Sequence, residues 1–304
     1  LDPEPGRAKG AAVRVASDGA GTPRASGKTR DALRSAAIHG VLALATAFAL
    51  YPVLWVLATA LSGDVLPAGR VVPLPQDATL EHFAAVLGSG DGVFFVQLAN
   101  SLLIAATTSI VAVLISAPAA YAISRFEFVG KSASLRSLLA TQMFPGVAAA
   151  IPLYFLLNAM HLLDTRFGLV LVYGSTVVPF AIFQLRSAFD AIPIELEEAA
   201  MVDGASRSEA FYLVVLPAAR PALAVTTLFA FMTAWNEFIL AATFLSDESR
   251  LTLPVVLQRY VGEHSANWNA FAAGAILVSI PVMALFFRLQ RQLVRGLNAG
   301  GVKG

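Results

Sequence analysis

The chain contains no cysteine. Disulfides, thiolate nucleophiles and thiolate-held metals are therefore excluded, and the redox compartment is left open. Charge is scarce as well: Asp, Glu, Lys and Arg make up 13% of the 304 residues, against 57% apolar residues and a mean hydropathy of +0.70. A soluble domain of this length needs a far more charged surface than that. The histidines, His39, His82, His161 and His264, are scattered without metal-ligand spacing. No G-x-S-x-G elbow or H-E-x-x-H helix is present, so a membrane-embedded enzyme has no catalytic constellation to work with. The basic residues lack interleaved aromatics, which argues against nucleic-acid recognition. Gly21–Thr29 reads GTPRASGKT, but the phosphate-binding pattern G-x-x-x-x-G-K-T places fewer residues between its glycines than Gly21 and Gly27 enclose. Nucleotide binding is not expected there.

What the chain does have is long apolar runs. Six blocks, at about 36–61, 97–123, 137–160, 168–188, 221–245 and 270–290, reach the length of about 20 residues needed to cross a bilayer core. Pro145 and Pro152 in the third block and Pro179 in the fourth imply bends, either simple or linked to gating. The expected fold class is all-α: a polytopic membrane protein of six transmembrane helices. Residues 1–34 are rich in Gly, Ala and Pro and carry Arg7, Lys9, Arg14, Arg24, Lys28, Arg30 and Arg34, and are expected to form a disordered basic tail. Such a tail anchors an inside terminus and attracts anionic membrane lipid, at about 1 kcal/mol per basic residue near the surface. The transmembrane domain is expected over 35–295, with a short C-terminal tail at 296–304.

Lys and Arg set the orientation. With both termini in the cytoplasm, the inner segments hold the tail residues, Arg125, Lys131, Arg136, Arg186, Arg207, Arg220, Arg288, Arg291, Arg295 and Lys303. The outer segments hold only Arg70, Arg166, Arg250 and Arg259. This places a polar stretch between the fourth and fifth blocks, Glu198–Pro217, in the cytoplasm. Glu195, Glu197 and Glu198 suit the first turns of a helix, where negative charge complements the dipole. Gly204 is placed to end that helix, and Ser206 with Glu209 forms a capping box that starts a second one, running to about Leu216 and stopped by Pro217. Two short helices joined at a glycine and tied to a span make a mechanical element; an ordinary amphipathic cap on the bundle is the alternative.

The residues of this segment carry a family resemblance. Glu198, Ala199, Ala200, Gly204, Val214, Leu216 and Pro217 match the defining positions of the EAA loop of bacterial ABC import permeases, and EAAMVDGAS resembles the carbohydrate-uptake branch. Arg125–Lys131 is similar to the basic loop after that branch's second span, with Val129 where the family usually has proline. Met143-Phe-Pro145, Ala234–Phe238 and the terminus Gly296–Gly304 agree, the last with the maltose/trehalose-type, MalG-like permeases. The resemblance covers about residues 36–304.

It implies a binding-protein-dependent sugar importer in the bacterial inner membrane, with several partners. These are a second permease subunit, a dimer of cytoplasmic ATPase subunits that bind ATP and Mg, a solute-binding protein and a sugar. The chain itself would be no enzyme and hold no cofactor. Glu198 would pair with a basic residue of the ATPase, Gly204 would permit the bend that fits its cleft, Ala199, Ala200 and Ala205 would allow close packing, and Asp203, Leu216 and Pro217 would belong to the same coupling set. The C-terminal tail would reach between the ATPase subunits. Maltose, maltodextrin or trehalose is the expected cargo; another sugar, a glycerol-phosphate, or a secondary transporter are the alternatives.

Polar residues inside spans are the candidates for a sugar pathway, because hydroxyl-bonding groups and aromatic faces are what a sugar needs. Glu237 and Asn236 lead, followed by Asn100 and Tyr173, with Ser101, Gln142, Tyr154 and Gln184 behind them. Interhelical hydrogen bonding is the plainer role, and in the maltose relatives the sugar sits mainly on the larger subunit. Gln258, Tyr260 and Trp268, in the polar outer segment from about 246 to 268, are candidate contacts for the binding protein.

Overall fold

A computed structural model describes residues 25–63, 71–88, 92–143, 146–262 and 265–300. Pro145, His264, most of the N-terminal tail and the last four residues lie outside them. The described part of the chain divides into two compact units, one ending at Val53 and one beginning at Leu54. The first is the leading part of helix α1, Ala25–Leu61. This helix starts ten residues before the tail was expected to end. The run from Ala25 to Arg34 contains Ala, Lys, Arg and Leu, which lose little side-chain freedom in a helix, so propensity extends the span backwards. The last residues of the GKT stretch are thus helical rather than part of a disordered tail.

The second unit is a helix bundle. Its elements are α2 (Glu81–Gly88), α3 (Val93–Arg125), α4 (Lys131–Met143), α5 (Ala150–Ala159), α6 (Arg166–Asp190), α7 (Glu195–Val202), α8 (Arg207–Ala210), a π-helical turn (Phe211–Val215), α9 (Leu216–Ala218), α10 (Arg220–Trp235), α11 (Ile239–Phe244), α12 (Leu253–Arg259) and α13 (Trp268–Gly300). A two-residue antiparallel hairpin, Val261–Gly262 with Ser265–Ala266, precedes α13.

Helix α3 is central, packed against α6 and α10. Its buried positions Ser101, Ala105, Thr108, Ala112, Ser116 and Ala120 recur every three or four residues and are all small. Small side chains let helix backbones approach closely, which matters in lipid, where apolar burial alone does not drive helices together. The facing stripe of α6, Tyr173, Val177, Ala181, Leu185 and Phe189, repeats every four residues and supplies the bulk. The outward positions of α3, among them Phe95, Leu103, Ile110 and Leu114, are large, apolar and exposed. Such a surface suits hydrocarbon rather than water.

Among the described residues, four helices, α1, α3, α6 and α13, are long and apolar enough to cross a membrane unbroken, and two bent pairs bring the total to as many as six spans. The third expected span is one of these pairs, α4 and α5, with Pro152 in the first turn of α5, where its missing N–H is harmless. The fifth differs most from expectation. The second loop helix does not stop at Pro217 but continues through Ala218, and α10 then departs at 76°. Continuing the helix would require the N–H of residue 221 to reach the carbonyl of residue 217, and Pro221 has none. The span breaks again between Trp235 and Ile239.

Candidate functional site: the loop between α6 and α10

The loop is built as its sequence dictates. Glu195, Glu197 and Glu198 occupy the first turn of α7. The helix ends with Gly204 at φ 97°, a left-handed conformation that costs glycine little. The Gly204 N–H donates to Met201 O at 3.1 Å and the Ala205 N–H to Ala200 O at 3.0 Å, closing the helix end. The expected capping box is present: the Glu209 N–H donates to Ser206 Oγ at 3.3 Å and the Ser206 N–H to Glu209 Oε2 at 2.7 Å. The Ser206 N–H, and after it the Ser206 hydroxyl, holds the Glu209 carboxyl below its ordinary pKa.

Of the residues expected to couple, Glu198, Ala199, Asp203 and Gly204 are exposed, while Ala200, Ala205, Leu216 and Pro217 are half-buried. On the same loop, apolar side chains are left uncovered by the described residues: Val202 is 87% exposed, Leu213 71% and Tyr212 63%. Leu216 packs into a cluster with Phe189, Phe211 and Val215.

The inward side of the loop holds a group that sequence reasoning missed. Glu197 is buried, not merely a helix-dipole partner. Arg125 Nε donates to its Oε1 at 2.6 Å, and the Tyr121 hydroxyl donates to its Oε2 at 2.7 Å. A second guanidinium nitrogen of Arg125 donates to Ile192 O at 2.9 Å, and Ser124 donates to Asp190. The Tyr121 ring lies 4.6 Å from that of Phe211, and the Arg207 guanidinium sits 5.1 Å above Phe126. The last turn of α3 thus grips the end of α6, α7 and the second loop helix together. The available signal was a basic residue closing a span opposite an acid-rich helix.

The pathway candidates separate. Tyr173 and Glu237 meet: the Tyr173 hydroxyl donates to Glu237 Oε2 at 2.7 Å. The same carboxylate accepts the Leu240 N–H at 2.8 Å and the Ala241 N–H at 3.0 Å, capping α11 where the fifth span breaks. Asn236 is exposed beside it. Asn100 is elsewhere, buried, with its amide donating to Ser249 O at 2.8 Å and Leu251 O at 3.1 Å. With Ser101 Oγ accepting from the Leu253 N–H, it fastens the segment before α12 to the opposite end of α3. On that segment Gln258 is exposed, Tyr260 is half-buried against the core, and Trp268 is half-exposed at the start of α13. A cleft of about 610 Å³ between α3 and α6 is lined mainly by apolar side chains such as Leu103, Val111, Phe167 and Leu171. It offers a sugar little to bond.

Residues 112–299, which include the whole loop, match the family of binding-protein-dependent transport system inner membrane components. The chain is 35% identical over 264 residues to the trehalose transport system permease protein SugB of Mycobacterium tuberculosis, covering 86% of this chain and 95% of that one. It is 34% identical to the maltose/maltodextrin transport system permease protein MalG of Vibrio parahaemolyticus, covering 85% and 92%. Its fold superposes with a TM-score of 0.71, at 26% identity and over 86% of this chain and 97% of the other, on a chain of a bacterial ABC transporter that imports the acidic polysaccharide alginate. With helices long and apolar enough to cross a membrane and this family match over more than half its length, the chain belongs to the inner-membrane permease components of binding-protein-dependent ABC transporters.

Proposed function

We propose that this chain forms half of the translocation pathway of an ATP-driven sugar importer and is driven through the α7–α9 loop by a separate ATPase dimer. Both termini and the loop are proposed to lie in the cytoplasm, a reading supported by the positive-inside bias of Lys and Arg. The observation that carries the proposal is the uncovered face of the loop: Glu198 and Asp203 are exposed on it, and so are the apolar Val202, Tyr212 and Leu213. Large apolar side chains left exposed among acidic ones, on a segment outside the apolar spans, fit a protein partner. ATP-driven closure of the ATPase dimer would move the docked helices and, with them, the spans. A second permease completes the pathway and a binding protein delivers the sugar at the opposite end, where Gln258, Tyr260 and Trp268 are the proposed contacts. Residues 296–304 are proposed to reach the ATPase.

The cargo is proposed to be trehalose or a maltose-type α-glucoside, supported by the transport names of the relatives and by the likeness of the terminus. Tyr173 and Glu237 remain the pathway pair to test. The coupling proposal is tested by uptake in proteoliposomes containing both permeases, the ATPase and sugar-loaded binding protein. Glu198→Lys and Gly204→Pro should abolish uptake while the protein still inserts, since proline cannot take the positive φ of residue 204. Uptake at the unsubstituted level would overturn the coupling role.

A further inference from the structure

We propose that Tyr121 and Arg125 are positioning residues for energy coupling: through Glu197 they make the loop end of α3 and helix α7 one rigid body, so that movement of the loop is delivered to α3 as well as to α10. The inference rests on the docking of the loop on an ATPase proposed above.

The covalent route from loop to bundle is soft. Going forward, the chain passes through the π-helical turn at Phe211–Val215 and then the break at Ala219, where Pro221 supplies no N–H. Going backward, α6 ends at Asp190 and a short link precedes α7. Neither route leads to α3, which lies far off in sequence yet packs against both α6 and α10.

The non-covalent route is stiff. Both oxygens of Glu197 are engaged from the last turn of α3, at 2.6 and 2.7 Å, and the Arg125 and Glu197 side chains are only 8% and 5% exposed. The planar fork of Arg125 also spans to Ile192 O, fixing the link before α7 with the same side chain that fixes α7. Phe211 against Tyr121 and Arg207 over Phe126 add the second loop helix to the same turn. A buried ion pair contributes little net stability, because desolvation cancels most of its attraction. What it fixes well is register, and here the register is that of the loop against the central helix.

The test is the amount of sugar taken up per ATP hydrolysed by the complete reconstituted complex. Tyr121→Phe removes one hydroxyl and keeps the ring; Arg125→Lys keeps the charge but cannot reach Glu197 and Ile192 O together. Both complexes should assemble and hydrolyse ATP, while sugar per ATP falls roughly tenfold, the scale of one lost charge-assisted hydrogen bond. Glu195→Gln, an exposed acid on the same helix, should leave the ratio unchanged. An unchanged ratio in either Tyr121→Phe or Arg125→Lys overturns the proposal. Failure of Tyr121→Phe to assemble would also overturn it, by placing the clasp in folding rather than in coupling. If instead Glu198→Lys leaves uptake intact, it is the docking of the loop that fails, and the two results are separate.

Discussion

At Glu197 two charges are taken out of water together, and the pair holds because every strong partner is supplied. Arg125 and Tyr121 satisfy the carboxylate while Ile192 O takes a second guanidinium nitrogen. Removing one partner of such a pair costs about 3–5 kcal/mol, because the remaining charge stays buried. Trimming Tyr121 is therefore the milder probe of its role. Glu237 is built on the same logic with backbone donors: its two oxygens receive the Leu240 and Ala241 N–H groups and the Tyr173 hydroxyl. Glutamine offers one acceptor oxygen in place of two and turns an amino group toward the donors. Glu237→Gln should cost roughly 1 kcal/mol, the low end for an unsatisfied buried group because Glu237 is half-buried. It should lower the melting temperature in detergent and leave the sugar concentration for half-maximal uptake unchanged. A raised half-maximal concentration with unchanged melting would make Glu237 a pathway residue instead. The EAA match singled out Glu198, but nothing in the sequence marked Glu197 as buried. Their roles diverge because a helix turns about 100° per residue and puts one inward and one outward.

Among the elements, the best-specified from sequence are those closed by local chemistry. Gly204 at positive φ and the Ser206–Glu209 capping box form as read, since both need only neighbours within a turn. The capping box makes a testable pH statement. The Glu209 pKa is depressed in the fold, so its contribution is full above the ordinary carboxylate range and is lost as pH falls through the depressed value. Amide exchange measured around Arg207–Ala210 should show protection at neutral pH that weakens in acid. Glu209→Gln should remove the pH dependence, and an unchanged dependence in that variant would discount the cap. The ends of the apolar blocks were legible to within a few residues for α3, α6 and the start of α13, where hydropathy and helix length coincide. The breaks were not. The bend at Ala219 depends on Pro221 acting on a carbonyl a turn away, and the gap at 236–238 depends on a side chain that replaces helix bonds from outside the ladder. The early start of α1 and the helical continuation of α13 to Gly300 show propensity prevailing where composition suggested a tail.

For the whole molecule, the bundle has two worked ends joined by α3. At one end Asn100 and Ser101 hold the segment leading to α12, and at the other Tyr121 and Arg125 hold the loop. One helix that grips a candidate contact surface at each end suits a subunit that must relate events on the two faces of a membrane. The fold class was readable from apolar block length and scarcity of charge; the contacts that make α3 the hub were not, because they join residues far apart in the chain. The central claim is that the uncovered face of the α7–α9 loop is where an ATPase docks. Since the chain has no cysteine, Val202→Cys creates a single thiol on that face, and Trp268→Cys a single thiol at the opposite end of the bundle. Labelling each with a maleimide before and after adding the ATPase subunits tests the claim most directly. Protection of residue 202 with unchanged labelling of residue 268 is the predicted result, and equal labelling of residue 202 in the assembled complex would contradict it.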